Sequence, residues 1–140
     1  MANAFLDSNT LLYLISADAA KADRIEELLV DGGVISVQVL NEFTAVARRK
    51  FSLPWSEIEV ALDPIRAAFD IEAVTLETYD LAVTVAQRFH YKIYDSLIIA
   101  AALIAGCDTL YSEDMQHGHV IADRLTILNP FIEGQAIRQR

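Results

Sequence analysis

Four acidic residues stand where an α/β chain could turn them to one purpose. Asp7 follows a short apolar run, Glu42 edges an apolar helical face, Asp95 opens a strongly apolar stretch, and Asp114 follows Thr109–Ser112. Carboxylates gathered in a crevice are costly to bury unpaired, whereas Mg2+ or Mn2+, which prefer oxygen ligands, would neutralise them. Such an ion also activates water and stabilises charge on a departing phosphate oxygen, so these residues point to metal-assisted phosphodiester hydrolysis. Asn9 and Ser112 could orient water or a phosphate oxygen without adding charge. Each acid alone has a plainer role as a cap, salt-bridge partner or solvated group, so only the set carries the chemistry.

The surrounding elements must bring these positions together. Asn3–Leu6 predicts a strand that stops at Asp7, and helices are expected over Ala19–Val30 and Gln38–Arg49, with Val34–Ser36 as a strand between them. Pro54 can open a helix from Trp55 to Phe69, which Pro64 is expected to kink or divide. Ile71–Thr75 predicts a further strand, Thr78 a helix cap, and Tyr94–Ala105 a buried helix, followed by strands at Thr109–Ser112 and Leu125–Leu128. This alternation predicts an α/β layer fold around a mostly parallel sheet. In such sheets the active crevice lies at the carboxyl ends of the strands, where Asp7, Asp95 and Asp114 could converge, with Glu42 entering from an adjoining helix.

Arg48, Arg49 and Lys50 could hold phosphate oxygens, although cations at a helix C-terminus also interact favourably with its dipole. His117 and His119 suggest a metal pair but have no third histidine or cysteine ligand nearby, so a polar loop is the simpler reading. Trp55, Phe69 and Tyr79 could form an aromatic platform, yet aromatic residues more often serve cores and interfaces. The 140 residues are expected to form one domain, with 131–140 a possible contact tail. The formal charge of −9 argues against indiscriminate coating by nucleic acid or an anionic membrane. A single cysteine, Cys107, rules out an intramolecular disulfide and fits a reducing cytoplasm, and no secretion signal or membrane span is read.

With these residues in view, the chain resembles the PIN-domain nucleases, especially the VapC-like toxin ribonucleases, over nearly its full length. FLDSN places Asp7 at the first acidic position of that family, VLNEF places Glu42 at the second, YDSLIIAAAL places Asp95 at the third, and LYSEDMQHG places Asp114 at the last. Asn9 and Ser112 match the polar residue after the first acid and the small hydroxyl before the last. The resemblance implies a three-layer PIN-like fold, Mg2+ or Mn2+ at the acidic crevice, cleavage of RNA, control by a cognate antitoxin, and a homodimer. It favours Asp114 over the adjacent Glu113. The chain departs from many relatives in lacking an aromatic shortly after the last acid, where it has Met115-Gln116-His117-Gly118. The alternatives are a catalytically inactive PIN-like interaction module and a Mg-dependent phosphatase; the latter is disfavoured because DSN lacks a second aspartate and no phosphate-binding glycine loop is present.

Overall fold

The computed structural model describes residues 4–132; Met1–Asn3 and 133–140, including most of the expected contact tail, lie outside the described residues. Strand β1 (Ala4–Leu6) leads into the short helix α1 (Ser8–Leu11), a 3-10 turn at Leu12–Ile15, and α2 (Ala19–Asp31). Then come β2 (Gly33–Ser36), α3 (Val37–Arg49), α4 (Trp55–Ala68) and β3 (Phe69–Glu72). The chain returns through α5 (Leu76–Phe89) and α6 (Ile93–Ile104) to β4 (Thr109–Tyr111), β5 (Val120–Ile121) and β6 (Leu125–Leu128). The six-stranded sheet has the order β3-β2-β1-β4-β6-β5, parallel throughout except where β5 meets β6. This is the expected α/β fold with a mostly parallel central sheet. Because the crossovers run one way from β1 to β3 and the other way from β3 to β4, right-handed connections place their helices on opposite faces of the sheet.

Local chemistry explains most of the boundaries. Gly32 ends α2 at φ 76°, and Gly33 opens β2 at φ 139°. A Cβ at Gly33 would lie 2.4 Å from the Ala4 carbonyl oxygen, so glycine permits the close approach of β2 to β1. Ser36 caps α3 by accepting from the Val39 amide at 3.4 Å. The core includes Phe5, Ile35, Val39, Phe43, Ile98, Ile99 and Leu110, all fully buried. In α6 every residue from Ser96 to Leu103 is buried, as expected of a helix that is apolar nearly all round. Among the described residues no helix is long and apolar enough to cross a membrane.

Several expected boundaries move. The third strand is Phe69–Glu72 rather than Ile71–Thr75, because Phe69 supplies the buried side chain opposite Gly33. The cap of α5 is Thr75, and Thr78 is its capping-box partner three residues on. Pro64 does not divide α4, since it lies on the exposed face of that helix and the carbonyl it leaves unbonded, at Val60, belongs to a residue that is also exposed. The short β5 was not anticipated; two residues in a polar loop carry too little periodicity to announce a strand. Trp55 and Tyr79 are exposed but Phe69 is buried, so the three do not form a platform.

Candidate functional site

The sheet reverses its direction of growth between β1 and β4, and the crevice forms at the carboxyl ends of these neighbours. Their register pairs Leu6 with Tyr111, so the residues that follow, Asp7 and Ser112, emerge side by side. Asp7 Oδ1 accepts from the Ser8 amide at 2.7 Å, while Oδ2 accepts from Ser112 Oγ at 2.9 Å and Asn9 Nδ2 at 3.2 Å. Ser112 Oγ also accepts from Asn9 Nδ2 and the Met115 amide, both at 3.3 Å, which uses its full hydrogen-bonding capacity. Asp7 is 3% exposed. Burial drives its carboxyl up from 3.8 to about 7, with Glu42 and Asp95 adding to the rise and the Ser112 and Ser8 hydrogen bonds opposing it.

Glu42 reaches this centre from α3. Its Oε1 accepts from Ser8 Oγ at 2.8 Å and its Oε2 from Gln38 Nε2, one helical turn back, at 3.0 Å. Asp95 occupies the first turn of α6, and its carboxyl is raised by burial and then by the nearby charges of Glu42 and Asp114, against a lowering by Lys92. Asp114 is exposed on the loop after β4. The fold therefore brings Asp7, Glu42, Asp95 and Asp114 into one electrostatic neighbourhood. Among the described residues, no Lys or Arg makes a salt bridge to any of these four.

A cleft of about 520 Å³ opens beside this centre, lined by Ser8, Asn9, Glu42, Glu113 and Asp114 together with Arg49, Lys50 and Phe51. Arg49 and Lys50 thus line the same cleft as Glu42 and Asp114. Arg48 does not line it; its guanidinium donates to the Leu53 carbonyl at 3.1 Å and lies 4.7 Å from the Trp55 ring. His117 and His119 face different partners. His117 Nδ1 accepts from the Asn129 amide at 2.9 Å, and His119 Nδ1 lies 2.7 Å from the Tyr91 hydroxyl.

The model of the PIN domain matches residues 4–121. The chain belongs to the PIN-domain family. No curated protein matches it in sequence. Among solved structures it is similar to Mycobacterium tuberculosis VapC20, described as a Sarcin-Ricin loop cleaving toxin, at 21% identity and TM-score 0.64 over 79% of this chain and 89% of that one. It is similar to VapBC2 of Rickettsia felis, bound to a DNA fragment from its promoter, at 19% identity and TM-score 0.64 over 90% and 97% of the two chains. A toxin–antitoxin complex from Klebsiella pneumoniae gives 19% identity and TM-score 0.67 over 91% and 98%.

The acids of this PIN domain have the donor chemistry that a hard divalent cation requires: carboxylate oxygens, with the Asp7 carboxyl nearly inaccessible to water, and among the described residues none of the four in a salt bridge. The side chains are neighbours rather than a closed cage, and among the described residues no three His, Cys, Asp or Glu already stand at ligating separations. Two supporting residues escaped the sequence reading. Ser8 joins Asp7 to Glu42 but reads in sequence as a turn residue. Gln38 holds Glu42, and the four-residue spacing on one helix was the available signal.

Proposed function

We propose that this PIN domain is a metal-dependent endoribonuclease and the toxin of a toxin–antitoxin pair, acting in the cytoplasm as a homodimer. The observation that carries this reading is the convergence of Asp7, Glu42, Asp95 and Asp114 at the sheet's switch point, none of them in a salt bridge among the described residues, beside a cleft that Arg49 and Lys50 also line. The kinship with toxin structures supports the choice of RNA and of an antitoxin partner.

The four carboxylates would hold Mg2+ or Mn2+, which when bound supplies Lewis acidity and a nucleophile from water near neutral pH. The chain's own residues do the remaining work. Ser112 and Asn9 fix the Asp7 carboxylate so that its orientation costs no reorganisation during reaction. Ser8 and Gln38 hold both oxygens of Glu42. Arg49 and Lys50 receive backbone phosphates and set the register of the RNA against the acids. A phosphatase using Asp7 as nucleophile is disfavoured, because that carboxylate is buried and both its oxygens already accept hydrogen bonds.

The deciding experiment is RNA cleavage with Mg2+ or Mn2+, before and after chelation, comparing the natural protein with folded Asp7→Asn and Asp95→Asn variants. Cleavage that disappears on chelation and in both variants is expected. Cleavage that survives either treatment would sink the proposal.

A further inference from the structure

Adjacent acids on one loop pose a problem that the catalytic reading leaves open. Glu113 and Asp114 both border the cleft, so two adjacent carboxylates are within reach of the acidic centre. An additional carboxylate among four mutually repelling ones would alter both the charge and the ligand set of the site. Something must keep Glu113 aside.

The structure contains such a restraint. Glu113 Oε2 accepts from Lys21 Nζ at 2.7 Å, and Oε1 accepts from the Tyr13 hydroxyl at 2.6 Å, so both oxygens are taken. Lys21 also donates to the Tyr13 hydroxyl at 3.3 Å. Its ammonium lies 4.7 Å from the Tyr13 ring and 4.8 Å from the Phe131 ring, and those rings meet edge to face at 5.0 Å. The Phe131 end is tied down separately, as Arg24 Nε donates to the Pro130 carbonyl at 2.8 Å. On the other side, the Glu113 amide donates to Asn9 Oδ1 at 3.2 Å, the same Asn9 that holds Asp7. The backbone is therefore fixed at the acidic centre while the side chain is drawn towards α2. Asp114, the next residue, is exposed and close enough for its charge to act on Asp95.

We propose that Lys21 is a positioning residue: with Tyr13 and Phe131 behind it, it holds Glu113 out of the acidic centre and leaves Asp114 as the acid of the pair presented to Asp95. A lone, partly exposed ion pair would orient little, but here two ring faces and a hydroxyl restrict the lysine, and both carboxylate oxygens are engaged. The proposal rests on the metal-dependent reading of the site and adds to it the residue that selects between neighbouring acids.

The test uses Lys21→Met, which keeps the apolar stem against Tyr13 and Phe131 but removes the charge. It is compared with Lys21→Arg, Glu113→Gln and the double variant Lys21→Met/Glu113→Gln, by calorimetric Mn2+ titration and by RNA cleavage kinetics. Release of Glu113 in Lys21→Met should tighten Mn2+ binding about threefold, because one more carboxylate is free to reach the ion. It should also lower kcat about tenfold with little change in KM for RNA, since the extra ligand misplaces the reacting groups. Lys21→Arg and the double variant should restore both quantities, and Glu113→Gln alone should stay within about twofold of the natural protein. Unchanged Mn2+ affinity and kcat in Lys21→Met would overturn the proposal, as would a defect in KM that Glu113→Gln does not relieve, which would mark Lys21 as an RNA contact. A natural protein that neither binds Mn2+ nor cleaves RNA would instead overturn the metal-dependent reading, and the proposal with it.

Discussion

Asp7 and Glu113 are linked through one asparagine, yet their carboxylates are held in opposite ways. Asp7 is buried, receives neutral donors from Ser8, Asn9 and Ser112, and is pushed up to about 7. Glu113 is part-buried, receives the Lys21 ammonium and the Tyr13 hydroxyl, and is held below its ordinary value. The difference lies in whether a fixed cation accompanies the acid. Where the chain supplies a lysine, the charge is settled within the protein and the group has no further demand for a partner. Where it supplies only dipoles, the carboxylate is oriented but its charge is left without a counter-ion, which favours an external cation or a proton.

The largest break in this contrast should come from Asp7→Asn, which keeps the volume and removes the charge. Loss of RNA cleavage by at least about 100-fold is expected, measured by single-turnover kinetics on protein whose fold is checked by circular dichroism. The contrast also predicts a pH dependence. Because the folded Asp7 value of about 7 exceeds the unfolded 3.8, its contribution favours folding fully below about pH 4 and is lost as pH rises through 7. Thermal melts of metal-free protein should therefore show a loss of a few kcal/mol across that window. Saturating Mn2+ should offset the loss at neutral pH, and Asp7→Asn should abolish it. Glu113 has the reverse sign: its contribution is present above its unfolded value and lost as pH falls through its lowered folded value.

Ser112→Ala sharpens the comparison from the side of the donors. It removes a hydrogen bond to Asp7 and leaves Asn9 and the Met115 amide without their shared acceptor. A cost of about 1–2 kcal/mol in denaturant melts is expected, together with about tenfold weaker Mn2+ binding in calorimetry. The smallest effect should come from Glu113→Gln, whose ion pair lies near the surface; its stability in denaturant melts should change by less than about 1 kcal/mol. A larger change there than at Ser112 would reverse the contrast.

Much of this architecture was legible in the chain. Apolar runs broken at Asp7, Asp31-Gly32-Gly33 and Gly106 marked strands and helices whose alternation admits few topologies, and the acid-bearing ends of those elements fell where a parallel sheet forms its crevice. The start of the third strand was less visible, because Phe69 reads equally as the last turn of a helix until Gly33 is placed beside it. Arg48 and Arg49 are likewise adjacent cations in sequence, and only the rotation of α3 sends one under Trp55 and the other into the cleft.

By itself, then, the sequence determined the order of the elements other than β5, the apolar faces that bury them and the candidate acids, because periodicity and capping are local properties of the chain. The tertiary structure decided which partners those acids have. Ser8 reaches Glu42 across 34 positions, Ser112 reaches Asp7 across 105, and Lys21 reaches Glu113 across 92. No local pattern encodes such pairings. They follow from strand order and register, which place the ends of β1 and β4 side by side and leave one carboxylate without a cation and its neighbour with one.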